Sequence, residues 1–84
     1  MLQLAVLISG RGSNMMKLAE AIAADQLNAR IAIVISNQHC TGIAHAANLG
    51  IQTKVIQRQN FTTLHDHDRA IQDTINSLSV DYVF

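Results

Sequence analysis

Leu4-Ala5-Val6-Leu7-Ile8-Ser9-Gly10-Arg11-Gly12-Ser13-Asn14 decides the fold of this 84-residue chain. Five consecutive apolar residues predict a strand buried on both faces, the pattern of a parallel sheet covered by helices. The glycines and small polar residues that follow predict a tight turn. Met15 opens a helical pattern, and Asn14 stands where its side-chain oxygen would cap the first turn. A strand that turns through glycine onto a helix N-terminus brings several backbone N–H groups, and the positive end of the helix dipole, to one spot. That spot suits an anion, above all a phosphate group.

Outward from this stretch the chain alternates strand and helix. Met15, Leu18, Ala19, Ile22 and Ala23 recur at helical spacing and form one apolar face. Ile31 to Ile35 predicts a second strand ending at Ser36-Asn37. A helix is expected from about Thr41 to Leu49 with Ile43, Ala46 and Ala47 inward, closed by a left-handed Gly50. Lys54-Val55-Ile56 falls in a third, shorter strand. Thr62 or Thr63 caps a third helix whose inward face carries Leu64, Ile71, Ile75 and Leu78, and Asp66 lies where a capping-box acid would sit. Val80 to Phe84 predicts a fourth strand.

The order βαβαβαβ implies an α/β fold, the N-terminal portion of a Rossmann-like parallel sheet with right-handed crossovers and helices on both faces. The first strand is expected in the interior, with the fourth across from the second. Ligands of such sheets bind outside the C-terminal ends of the strands, where the glycine turn lies. The sequence stops at the fourth strand, so residues 1–84 read as a single N-terminal fragment, truncated there, with no internal boundary.

Composition narrows the classes. Hydrophobic content of 49% with six basic and six acidic residues describes a globular piece without net charge, and no basic face for nucleic acid emerges. The apolar start lacks the basic flank of a signal peptide and the roughly 18 apolar residues a membrane span needs. Cys40 is the only cysteine, which rules out an internal disulfide and points to a reducing cytoplasm.

Among phosphate loops, a dinucleotide fingerprint lacks its third glycine, because Met15 stands there, and the second strand ends without an acid for the ribose. The G-x-x-x-x-G-K-[ST] loop is absent. What is left is a short turn for one phosphate: Gly12 permits close backbone approach, and Ser13 and Asn14 add side-chain donors. The bland alternative is a glycine turn that merely joins strand to helix. His39, Cys40 and His45 match no common zinc spacing, so no metal is expected. The acids of His65-Asp66-His67-Asp68 suit the first turn of a helix without any ligand, and His67 falls on its apolar side.

Leu7 to Met15, Ile33 to Asn37, Ala47-Asn48-Leu49-Gly50-Ile51, Phe61, Asp68-Arg69 and Val80-Asp81-Tyr82-Val83 together resemble the N-terminal part of the phosphoribosylglycinamide formyltransferases. The resemblance runs through essentially the whole chain. It implies transfer of a formyl group from 10-formyltetrahydrofolate to the amine of 5-phosphoribosylglycinamide in purine biosynthesis, without a metal. It assigns the substrate phosphate to Gly12, Ser13 and Asn14. The family's catalytic Asn, His and Asp are expected beyond Phe84, so no catalytic residue is assigned here. A family arginine expected shortly after Phe61 is replaced by Leu64, and Arg58 lies on the other side of that phenylalanine. Two rivals stay open: another folate formyl-group transferase or deformylase on the same scaffold, and a non-catalytic phosphometabolite-binding module.

Overall fold

Seven regular elements alternate along the chain in a computed structural model that describes residues 1–84, the side chain of Arg58 excepted. They are β1 (Leu2–Ile8), α1 (Ser13–Ala23), β2 (Ala29–Ser36), α2 (Thr41–Asn48), β3 (Thr53–Val55), α3 (Leu64–Asn76) and β4 (Tyr82–Val83), with a single 3₁₀ turn at Arg58–Asn60 before α3. All pairings are parallel and the sheet order is β3-β2-β1-β4. The first strand lies inside and the fourth lies across it from the second, as the alternation predicts.

The β1–β2 register steps between Leu4 and Ala5: Leu4 opposes Ile31 while Ala5 opposes Ile33. Ala32 is the extra residue, and such a bulge reverses the phase of side-chain alternation. Ile31 therefore joins Val6, Met15, Val34 and Ala46 on the face covered by α1 and α2. Ile33 and Ile35 join Ala5, Ile56 and Ile75 on the face covered by α3. Helices thus sit on both faces, each over a separate apolar layer.

Local chemistry sets the helix ends. Gly50, at φ +77°, closes α2 in the left-handed conformation that costs a residue without Cβ little. Thr63 caps α3, its Oγ1 accepting the Asp66 N–H at 3.1 Å. Asp81 clamps β4 to β1: its carboxylate accepts the Gln3 N–H at 2.7 Å, and its own N–H donates to the Gln3 carbonyl at 2.8 Å. The pairing continues through Phe84, whose N–H reaches the Ala5 carbonyl and whose carbonyl accepts from Leu7.

Five expectations need correction, the first being Ala23, which spacing put on the apolar face of α1 and which is exposed at the last residue of that helix. Asn14 does not cap α1. Gly12 holds that position, and Asn14 is already inside the first turn with an exposed side chain. Leu7 is 43% exposed, at an open cleft that it lines together with His67 and Ile71 of α3. Leu64 is 49% exposed at the first residue of α3, and the inward position one turn later is taken by His67. Ala47 is exposed, since the buried stripe of α2 runs through Gly42 and Ala46.

Buried His67 replaces the expected apolar contact with a polar one. Its Nε2 donates to the Ile56 carbonyl at 2.7 Å, which fixes the Nε2–H tautomer, and its ring meets Phe61 edge to face at 5.4 Å. An otherwise orphaned carbonyl past the end of β3 is thereby satisfied. No described helix is long and apolar enough to cross a membrane.

Candidate phosphate loop

Residues Ser9–Gly12 leave the C-terminal end of β1 and enter α1 without a side-chain cap. The first four N–H groups of any α-helix lack an intrahelical acceptor. Here the first bond of the ladder runs from the Met16 N–H to the Gly12 carbonyl at 2.9 Å. The amides of Gly12, Ser13, Asn14 and Met15 therefore precede the ladder, and none of the N–H groups from Gly10 to Met15 donates to another described residue.

Gly12 has φ +73° and ψ 35°, a left-handed residue immediately before the right-handed Ser13. Such a change of hand turns successive N–H groups toward one concavity. The helix dipole adds positive potential at the same end. An open cleft of about 780 Å³ lies alongside, lined by the loop from Ser9 to Asn14, by Met15, Leu18 and Ala21 of α1, and by Phe84. Ser13, Asn14, Arg11 and Lys17 are all exposed there, so two hydroxyl or amide side chains and two cations accompany the free backbone donors. The arrangement is equipped to hold a compact anion.

Close approach at Gly12 is to protein as well. A Cβ at that position would lie 3.2 Å from the Gly42 Cα and 3.3 Å from the Met15 Cε. Gly42, at the start of α2, is tighter still: its Cβ would come within 2.8 Å of the Gly10 carbonyl oxygen. The loop is bonded to the β2–α2 connection twice. The Gly42 N–H donates to the Gly10 carbonyl at 3.0 Å, and Gln38 Nε2 donates to the Ser9 carbonyl at 2.8 Å. Neither residue stood out in the sequence. A glycine inside a helical pattern is the one signal that could have drawn attention to Gly42, since it weakens the helix unless packing demands it.

The other singled-out residues lie apart from this cleft. Cys40 is half-buried at the N-cap of α2, with Sγ 3.4 Å from Ser36 Oγ. The Ser36 hydroxyl chiefly, with the N–H groups of Ile43 and Gly42, holds its thiol pKa below the ordinary value against the opposing effect of burial. His39 and His45 are exposed, and the described residues contain no cluster of three or more metal-ligating side chains. Asp68 lies 3.9 Å from His67 Nδ1 on the exposed side of α3. Leu64 offers no charge where the family arginine was expected, and the side chain of Arg58 is outside the described residues.

Known proteins share the sequence pattern and the fold. The formyl transferase family model matches residues 2–84. The chain is 38% identical over 84 residues to a phosphoribosylglycinamide formyltransferase of Haemophilus influenzae, covering 99% of this chain and 40% of that protein. It is 37% identical over 82 residues to the human trifunctional purine biosynthetic protein adenosine-3, covering 96% of this chain and 8% of that one. The crystal structure of phosphoribosylglycinamide formyltransferase from Brucella melitensis superposes with a TM-score of 0.92 at 34% identity, over 98% of this chain and 43% of the other. The chain spans about two fifths of the length of these bacterial relatives.

Proposed function

The chain belongs to the formyl transferase family, and from that premise we propose that it supplies the phosphate end of a substrate site in an enzyme of purine biosynthesis. The reaction is transfer of the formyl group of 10-formyltetrahydrofolate to the primary amine of 5-phosphoribosylglycinamide. The observation that carries this reading is the run of unpartnered N–H groups from Gly10 to Met15 at the mouth of an open cleft. A phosphate carrying up to two negative charges matches both those donors and the N-terminal dipole of α1.

Gly12, Ser13 and Asn14 take the substrate role. Gly12 contributes its amide and a left-handed bend that only glycine adopts cheaply, while Ser13 and Asn14 contribute amides and side-chain donors. Anchoring the phosphate leaves the amine at the far end of the ribonucleotide positioned for attack, a contribution of orientation. Attack of that amine on the formyl carbon forms the new C–N bond and an oxyanion. Breakage of the bond to the folate nitrogen releases tetrahydrofolate, and a proton passes from the amine to that nitrogen. The groups that stabilise the oxyanion and relay the proton are assigned to residues outside 1–84. The reading implies a cytoplasmic enzyme, where the lone Cys40 stays reduced.

Calorimetric titration of the chain with 5-phosphoribosylglycinamide, and with its dephosphorylated counterpart, tests the assignment. Saturable binding of the phosphorylated ligand alone is expected. Equal affinity for the two would mean that the loop does not read the phosphate.

A further inference from the structure

We infer that Gln38, in the connection between β2 and α2, and Gly42, in the first turn of α2, are positioning residues that aim the N–H groups of the phosphate loop. The inference rests on the proposed phosphate role of that loop and concerns a different part of the chain. Every peptide bond here is trans, so each carbonyl and the N–H of the following residue point in opposite directions. Fixing a carbonyl on one side therefore fixes an amide on the other. Gln38 Nε2 holds the Ser9 carbonyl at 2.8 Å, which turns the Gly10 N–H away from α2. The Gly42 N–H holds the Gly10 carbonyl at 3.0 Å and does the same for the Arg11 N–H. Both carbonyls are drawn toward the second β–α unit, and both amides face the opposite side of the loop.

The second unit is built to hold this contact. Ser36 is buried at the end of β2, and its hydroxyl donates to the Gln38 carbonyl at 2.6 Å while accepting the Gln38 N–H at 3.2 Å. Gln38 is thereby fixed to the core before it reaches the loop. Gly42 matters for what it lacks. A Cβ there would lie 2.6 Å from Ile8 Cδ1, 2.8 Å from the Gly10 oxygen and 3.0 Å from the Arg11 carbonyl carbon. A side-chain methyl such as Ile8 Cδ1 moves easily. The other two atoms are loop backbone, so any larger residue must displace the peptide planes that present the amides. The same N–H also belongs to the unladdered first turn of α2, so one bond satisfies a helix end and orients the loop.

The test is a titration of the ¹⁵N-labelled chain with ribose 5-phosphate, following each backbone amide in the wild type, in Gln38→Met and in Gly42→Ala. Gln38→Met keeps the length of an exposed side chain and removes its donor. It is expected to weaken binding about threefold to tenfold, with the lost phosphate-induced shift concentrated at Gly10. Gly42→Ala is expected to weaken it by about tenfold or more, with the largest loss at Arg11. In Gln38→Met the core methyl resonances of Ile33 and Met15 and the unfolding midpoint stay as in the wild type, which a merely structural role would not allow together with weaker binding. If Gly42→Ala does not fold, Gln38→Met decides alone. Wild-type affinity in a folded Gln38→Met chain overturns the positioning role and leaves the phosphate reading standing. A wild-type chain whose Gly10–Met15 amides ignore the ligand overturns both.

Discussion

Replacing Gly12 by alanine, with Gly50→Ala as its reference, separates backbone strain from crowding. Both glycines are left-handed, at φ +73° and +77°. A Cβ at Gly50 meets nothing within 4 Å, whereas one at Gly12 lies 3.2 Å from the Gly42 Cα and 3.3 Å from the Met15 Cε. Left-handed strain costs a non-glycine residue about 1–2 kcal/mol, partly offset by the reduced freedom of the unfolded chain, for a net loss of about 1 kcal/mol at Gly50. At Gly12 crowding against α2 adds about 1–3 kcal/mol, because one of the two near atoms is backbone. Gly12→Ala should therefore lose about 2–4 kcal/mol, a large share of the stability of a domain this size. Urea unfolding with linear extrapolation measures both variants on the same scale. Equal losses at the two positions would refute the claim that the loop is wedged against Gly42.

Three other outcomes follow from single contacts. Thr63→Ala should cost about 1 kcal/mol of stability in the same urea assay, since it removes the acceptor of the Asp66 N–H at the start of α3. His67→Ala leaves the Ile56 carbonyl without its 2.7 Å partner and should cost about 1–3 kcal/mol, and imidazole ¹⁵N spectra of the wild type should show the Nε2–H tautomer. Cys40 should be alkylated by iodoacetamide with a midpoint below that of a free thiol, because its polar neighbours at the N-terminus of α2 outweigh burial and favour the thiolate. The fold favours the thiolate, so this group's contribution to stability is full above the ordinary thiol pKa and is lost as pH falls through the folded value.

Contacts close in sequence were the legible ones. The run Leu4–Ile8 announced a central parallel strand, and alternation placed its neighbours in the right order. Gly50 and Thr63 announced their helix ends because each acts within a few residues of itself. Periodicity failed where a tertiary partner chose the face. The Ala32 bulge sends Ile31 and Ile33 to opposite layers, and a continuous apolar run carries no sign of such a step. Leu64 looked inward only until His67 took the slot, drawn in by a carbonyl eleven residues away. Asn14 has the side chain of a helix cap, yet the left-handed Gly12 starts α1 two residues earlier and leaves the amides uncapped. Within the loop, Gly12 was readable from its motif. Gln38 and Gly42 were not, because their contacts to Ser9 and Gly10 join residues about thirty positions apart in the chain.

Co-crystallisation of the chain with ribose 5-phosphate tests the central claim most directly. Phosphate oxygens are expected at hydrogen-bond distance, about 2.7–3.2 Å, from the backbone nitrogens of Gly12, Ser13 and Asn14, with the sugar extending into the cleft beside Phe84. A phosphate seated instead at the start of α2 near Thr41, with the Gly10–Asn14 amides left to solvent, would contradict the account.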